Sequence, residues 1–237
     1  MSIALITGAA RGLGLEVARQ LVTTGVEVVV GARDPQAAAA VVSELEGVRS
    51  YAGSLDIADP KSVHHAATWW AEHIGPLDIL INNAAAYVDW SELASTADLE
   101  GAERVMQVNL FGSWRMIQAF LPLLKRSAHP RIVNVSSGAG SYADPAFGLA
   151  VRGGAAATYG ISKAALNALT STLAAELAAT PVIVNAVCPG LTATYPGAEA
   201  MRARPVGQSA TGVVWAATLP DDGPRGGFFR DEKPLDW

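Results

Sequence analysis

The chain has 237 residues, half of them apolar and only 16% charged, with a net charge of −5 at neutral pH. A net-acidic chain without a Lys/Arg cluster excludes a nucleic-acid partner, because phosphate-backbone binding needs a basic face. Cys188 is the sole cysteine, which rules out an intrachain disulfide and leaves no thiolate set for a metal.

Short β-branched runs alternate with longer Ala/Leu-rich amphipathic stretches. Residues 3–6 read as a buried first strand. Residues 13–24 read as a helix capped by Gly25, and 26–30 as a second strand. A helix over 35–46 starts from Asp34 as N-cap with Pro35 in its first turn. A weak third strand covers 48–53, a helix capped by Asp59 covers 60–74, and a fourth strand covers 77–82. One long helix is predicted over 99–126, with Pro122 near its end. A fifth strand (131–136), a helix (158–179), a sixth strand (181–187), a helix (206–219) and an edge strand (227–230) follow. Strands separated by helices predict parallel pairing, right-handed crossovers and helices on both faces. No linker or repeat interrupts the pattern, so residues 1–237 are expected to form one domain. The N-terminus lacks a basic segment followed by an apolar stretch, and no apolar run approaches the roughly 18 residues that span a bilayer. A soluble, cytoplasmic protein without membrane contact is expected.

The loop Thr7-Gly8-Ala9-Ala10-Arg11-Gly12-Leu13-Gly14 follows the first strand and opens the first helix. Glycines there let the backbone approach a pyrophosphate, and the helix start offers free N–H groups and a positive dipole end. The spacing is not the usual G-x-G-x-x-G, so the position between strand and helix carries the reading. The end of the second strand selects the nucleotide. An acidic residue there would hold a ribose 2′-OH. Here Gly31-Ala32 lead to Arg33, a planar donor suited to a 2′-phosphate, and Arg11 could reach the same group. Two solvated surface arginines are the competing reading. NADP(H) is the expected cofactor.

Tyr159 and Lys163 stand four apart near a helix start, so both side chains share one face. A free tyrosine titrates near pH 10, and a neighbouring ammonium would lower that value toward a usable proton donor or acceptor. The fifth strand runs into Ser136-Ser137 at the carboxyl end of the sheet, where open α/β sheets bind ligands. A hydroxyl there can polarise a carbonyl; both serines could equally just end the strand. Asn82-Asn83-Ala84-Ala85 closes the fourth strand, where an asparagine can tie neighbouring strands. Asn109 lies mid-helix, a position its short polar side chain does not favour.

Taken together, these segments make the chain resemble the short-chain dehydrogenase/reductase family over nearly its full length. The resemblance rests on the loop 7–14, Leu55-Asp56-Ile57, residues 78–85, Val108-Asn109, residues 132–137, 159–163 and 185–192. Gly31-Ala32-Arg33-Asp34 and the tail Phe228-Phe229-Arg230-Asp231 point to its NADPH carbonyl-reductase-like branch. The resemblance implies a Rossmann-type, doubly wound α/β fold with a mostly parallel seven-stranded sheet. It implies a small-molecule carbonyl or alcohol substrate, with Tyr159 as general acid or base. Lys163 would bind the nicotinamide ribose and lower the Tyr159 pKa. Ser137 would polarise the carbonyl, with Ser136 as fallback, and Asn109 would hold a water linking Lys163 to solvent. For the cofactor it implies Gly8, Arg11, Gly12, Leu13 and Gly14 at the pyrophosphate loop, Arg33 at the 2′-phosphate, and Asp56 and Ile57 at the adenine. Asn83 and Ala84 would lie at the adjoining ribose, and Pro189, Gly190 and Thr192 at the nicotinamide end. A homodimer or homotetramer through the 99–126 and 158–179 helices is implied, unless the segment before Tyr159 covers that seam and leaves a monomer.

The chain departs from the family pattern twice. Ala85 replaces the usual glycine, and Ser137 and Tyr159 are 22 positions apart, a longer spacer than most relatives have. The resulting insert over 141–157 is expected to be functional, with Tyr142 and Phe147 walling the substrate pocket. Residues 191–205, with Thr192, Thr194, Tyr195 and Met201, are expected to cover the substrate. Tyr87 and Trp90 could line the pocket or simply pack. His64, His65, His73 and His129 lack metal-ligand spacing, so no metal is expected, and Cys188 reads as a buried apolar residue. The competing functional reading is a catalytically silent NADP-binding sensor or scaffold. A sugar-nucleotide epimerase is disfavoured by the short chain after Thr192.

Overall fold

In the computed structural model, which describes residues 2–194 and 198–237, one sheet runs in the order β3-β2-β1-β4-β5-β6-β7-β8. Its strands are β1 (Ile3–Thr7), β2 (Glu27–Gly31), β3 (Val48–Ser50), β4 (Ile79–Asn82), β5 (Arg131–Val135), β6 (Ile183–Val187), β7 (Phe228–Arg230) and β8 (Lys233–Pro234). The first seven pair in parallel. The helices are α1 (Gly12–Thr23), α2 (Pro35–Glu44), α3 (Pro60–His73), α4 (Leu99–Met106), α5 (Ser113–Leu124), α6 (Ala157–Glu176) and α7 (Val206–Ala217).

Alternate strand residues feed two separate cores. Leu5, Val29, Leu80, Ile132 and Val184 pack with Trp70 of α3, Phe120 of α5 and Leu173 of α6. Ala4, Ile6, Val28, Val30, Ile81 and Val133 pack with Val17 and Leu21 of α1, Val41 of α2 and Val213 of α7. Both faces of each central strand are therefore dry, which is why these strands read as unbroken apolar runs. Strand order reverses beside β1, so the crevice between the carboxyl ends of β1 and β4 is where an open α/β sheet takes a ligand.

Two expectations need correction. The sheet has eight strands, not seven: β8 pairs antiparallel with β7 through Phe229↔Pro234 and Arg230↔Lys233. The tight turn between them places Asp231 and Glu232 at φ 53 and 62, the left-handed pair that a two-residue hairpin requires. Asp-Glu is an uncommon choice there, and a strand two residues long ending in proline carries no periodicity. The single long helix over 99–126 is instead α4, a π-helical segment Gln107–Gly112, and α5. At the break Asn109 turns its side chain inward, and a Cβ on Gly112 would lie 2.7 Å from Ile57. Pro122 sits inside the last turn of α5, which ends two residues later.

Candidate active site

The glycine loop is held from two sides. The N–H groups of Gly8 and Ala9 both donate to the Gly31 carbonyl at the end of β2 (2.8 and 3.3 Å). Asn83 Nδ2 donates to the carbonyls of Thr7 (2.9 Å) and Gly8 (3.1 Å), while Thr7 Oγ1 accepts from the N–H groups of Asn83 and Ala84. The Asn83 amide thus holds the loop in place. Gly14 lies at the tightest point: a Cβ there would meet Asn83 Nδ2 at 2.5 Å, the Gly8 carbonyl at 2.8 Å and Ala9 Cα at 2.9 Å. Gly14→Ala should therefore destabilise the fold by about 1–3 kcal/mol through overpacking, which thermal unfolding without added nucleotide would measure.

The residues present fit a dinucleotide phosphate. Asp34, Asp59 and Asp98 cap α2, α3 and α4, but α1 begins at Arg11 with no side-chain cap and no acidic residue in its first turn. Its free N–H groups and positive end face the crevice that Gly8, at φ 65, and Gly12, at φ 59, leave open. Leu13 is half-buried beside them. Arg33 is exposed at the end of β2, and Asp34 caps Gln36, as its position suggests. Arg11 is also exposed, and its charge favours the ionised form of Tyr87, so it lies toward the loop after β4 as well as the phosphate loop. Asp56 accepts from the Ala58 N–H at 2.9 Å, and the Ile57 side chain is buried against the π-helical segment. Only the Ile57 backbone is left for an adenine.

At the opposite end, Pro189 and Gly190 are gripped by an arginine that sequence reading missed. Arg204 donates to the Pro189 carbonyl through Nε (2.8 Å) and Nη2 (2.5 Å), and pairs with Asp231. Gly190 stands at φ 73, with no room for a Cβ over Arg204 Nε. Thr192 Oγ1 reaches both Ser209 Oγ (2.8 Å) and the Gly190 carbonyl (3.1 Å). Thr194 is exposed; Tyr195 and the Met201 side chain lie outside the described residues.

The first turn of α6 carries Tyr159 and Lys163, both buried. Lys163 Nζ donates to the Val135 carbonyl at 2.8 Å and lies 5.7 Å from the Tyr159 ring centroid. The geometry separates the two candidate serines. Ser136 is buried and bonded to Asn167 Oδ1 at 2.5 Å, whereas Ser137 is only half-buried and shares a hydrogen bond with Tyr159. Burial pushes the Tyr159 phenol well above its ordinary range; Tyr87 and Cys188 add to the rise, and the Ser137 hydrogen bond opposes it. Burial also pulls Lys163 down to about 8. The expected lowering of Tyr159 by Lys163 is therefore not the dominant effect: desolvation weakens both charged forms at once.

Asn109 is fully buried and its amide is occupied. Oδ1 accepts from the Ala86 N–H (2.7 Å), and Nδ2 donates to the Ala86 carbonyl (2.9 Å) and Ser162 Oγ (3.0 Å). Its side chain clamps the loop after β4 to α6. Asn82 ties β4 to β5 through Asn134 Oδ1 at 2.9 Å, as an asparagine at that position can.

Several contributors were invisible in the sequence. Cys188 Sγ accepts from the N–H groups of Gly138 (3.1 Å) and Gly190 (3.4 Å) and from Arg230 Nε (3.3 Å), joining the loops after β5 and β6. Arg230 also pairs with the buried Asp144 of the insert. The Phe147 ring lies 5.7 Å from the Arg152 guanidinium and 5.6 Å from that of Arg230, and Tyr142 is 80% exposed. The rings that touch Tyr159 come instead from the loop after β4: Tyr87 and Trp90. Among the described residues no cluster of metal-ligating side chains forms, and no helix is long and apolar enough to cross a membrane.

The sequence model of the short chain dehydrogenase family matches residues 2–204. A rhamnolipids biosynthesis 3-oxoacyl-(acyl-carrier-protein) reductase of Pseudomonas aeruginosa is 35% identical over 193 residues, covering 79% of this chain and 72% of that protein. Short-chain dehydrogenase/reductase 1 of Saponaria officinalis is 32% identical over an alignment of 283 residues, with 95% of this chain and 93% of that protein covered. Among solved structures, NADPH-bound carbonyl reductase from chicken fatty liver superposes with a TM-score of 0.85 at 28% identity, covering 100% of both chains.

Proposed function

The chain belongs to the short-chain dehydrogenase family, and from that premise we propose that it is an NADP(H)-dependent oxidoreductase interconverting a ketone or aldehyde with its alcohol. The observation that carries this reading is the convergence of Tyr159, Ser137 and Lys163 at the carboxyl edge of the sheet, beside the uncapped start of α1. Bound NADPH would supply the hydride; the chain's own residues handle the proton. Ser137 donates a hydrogen bond to the carbonyl oxygen as negative charge develops there. Tyr159 then gives its proton to that oxygen. A phenol held above its ordinary pKa is protonated at neutral pH, which suits it to the reductive direction. Lys163 keeps a positive charge beneath the phenol, and Asn109 fixes the loop across from it.

The cofactor would lie with its pyrophosphate at Gly8, Gly12, Gly14 and the first amides of α1, and its adenine beside Asp56 and the Ile57 backbone. Ala84 lies against Gly8 and would border the ribose. The nicotinamide end would meet Pro189, Gly190 and Thr192, with Lys163 at its ribose. Arg33, with Arg11, would take the 2′-phosphate. That choice is testable apart from the chemistry. A charge-assisted hydrogen bond contributes about 1.5–3 kcal/mol, so Arg33→Ala should cut the ratio of kcat/KM for NADPH over NADH by roughly 10-fold or more. An unaltered ratio would reassign Arg33 to the solvated surface. Oxidation of NADPH against a carbonyl panel tests the reaction itself.

Large apolar side chains stay exposed on the helices of the family's assembly seam: Leu99, Phe111, Trp114 and Ile161. This favours a homodimer or homotetramer over a monomer.

A further inference from the structure

Tyr159 is covered by two aromatic rings from one short loop. Tyr87 stacks on it at 5.3 Å between centroids and 21° between planes, and Trp90 meets it edge-on at 5.4 Å and 75°. The two rings also lie 6.0 Å from one another. The packing rings Trp70 and Phe120 are fully buried. Tyr87 and Trp90 are instead 62% and 42% exposed, so each turns apolar surface to solvent next to the proton donor.

The loop that presents them is fixed at both ends. Asn109 grips both backbone polar groups of Ala86 at its start. At its end Glu92 performs the capping that α6 otherwise lacks. Ala156, at φ 56, has no side-chain cap to offer, and the Glu92 carboxylate accepts from the Thr158 N–H at 2.9 Å. Asp89 braces the middle by accepting from the Ser91 N–H and hydroxyl. The rings are therefore held before any substrate arrives, and little side-chain entropy is lost on stacking against them.

We infer that Tyr87 and Trp90 form a preformed stacking platform that selects carbonyl compounds whose C=O is borne on a flat ring, aryl and ring-fused ketones, over straight-chain ones. The inference rests on the reading that Tyr159 protonates a carbonyl. A flat ring packed against the exposed surface of Tyr87 and Trp90 keeps its face covered while its adjoining carbonyl turns toward the Tyr159 hydroxyl. A flexible chain must lose its own torsional freedom to cover the same surface.

The test is steady-state kinetics of the full chain with NADPH, using 1-tetralone and 2-octanone as probes, together with calorimetric binding of 1-tetralone. A flat ring stacked on an aromatic face loses that contact when the face is cut back to alanine. Trp90→Ala and Tyr87→Ala should each raise the KM for 1-tetralone by roughly 10-fold or more while losing far less with 2-octanone. Trp90→Phe should recover most of that loss. Trp90→Leu, which keeps apolar volume without a flat face, should not. Equal losses on both probes, or full 1-tetralone activity in Trp90→Leu, would overturn the platform. Failure of the wild-type chain to reduce any carbonyl would instead sink the assigned reaction. The platform would then stand or fall on whether calorimetry finds 1-tetralone binding that Trp90→Ala abolishes.

Discussion

Tyr159→Phe is expected to lower kcat for carbonyl reduction by about 100-fold to 10,000-fold, the usual contribution of a positioned proton donor, while NADPH binding by fluorescence titration stays within a few-fold of the wild type. The substitution removes one oxygen and keeps the ring, so the stack with Tyr87 and the contact with Trp90 survive. It also removes the partner of the Ser137 hydroxyl, which is half-buried and can turn to water. Stability should not fall. The phenol is neutral in the folded and unfolded chain alike at pH 7, so its raised pKa plays no part in stability there, and the ring's packing is kept. The defect should thus appear in kcat and not in cofactor affinity, the pattern of an interaction made in the transition state. Ser137→Ala should show the same pattern, and Ser136→Ala a folding defect through the lost Asn167 bond. Full turnover in Tyr159→Phe would remove the tyrosine from the chemistry and require another proton donor, whereas a wild-type chain that binds NADPH but turns over no carbonyl would favour the reading of a silent nucleotide-binding protein.

What the sequence disclosed and what it hid follow from the range of the interactions involved. The parallel sheet was legible because each central strand is buried on both faces, which forces unbroken apolar runs. Asp34 and Asp59 were legible as caps because a cap bonds within two residues of itself. The break at Asn109 was not, since the group its side chain turns to is Ala86, 23 positions away. The eighth strand escaped because its turn uses Asp231 and Glu232 where a glycine or asparagine would have announced it. The same logic divides the site. Tyr159, Lys163 and Ser137 lie on two consecutive segments of the α/β alternation, and the structure brings them together. Arg204, Arg230 and Glu92 meet partners 15 to 86 positions distant. A lone charge gives no hint of such a partner. Asn83 and Asn109 were noticed for their type, yet their amides hold loops in place. An asparagine beside a site reads the same whether it touches a ligand or the backbone that touches it.

Lys163 supplies the case where stability and activity should move in opposite directions. Burial lowers its pKa from 10.5 to about 8, so below pH 8 the fold carries a charged ammonium in a site that disfavours it. Each pKa unit corresponds to about 1.4 kcal/mol, which puts that cost near 3 kcal/mol at neutral pH. Lys163→Met removes the charge but leaves the Val135 carbonyl without its donor, a loss of about 1–3 kcal/mol. The net expectation is a gain of roughly 1 kcal/mol, or a Tm higher by about 2–4 °C for a chain of this size, together with at least a ~100-fold loss of kcat. The pH dependence separates this account from generic repacking. Between pH 8 and 10 an unfolded lysine keeps its proton while the folded one has lost it. Wild-type stability should therefore rise across that window. Above pH 10 it should fall, because unfolded Tyr159 ionises at its ordinary value while the folded phenol holds its proton. In Lys163→Met the rise should vanish and the fall remain. Wild-type reduction should decline over the same window as Lys163 loses the charge beneath the phenol, with its midpoint near pH 8. A Tm for Lys163→Met that is lower than the wild type at pH 7 and parallels it up to pH 10 would refute the buried-charge explanation. Lys163 would then be a residue retained for packing as much as for proton transfer.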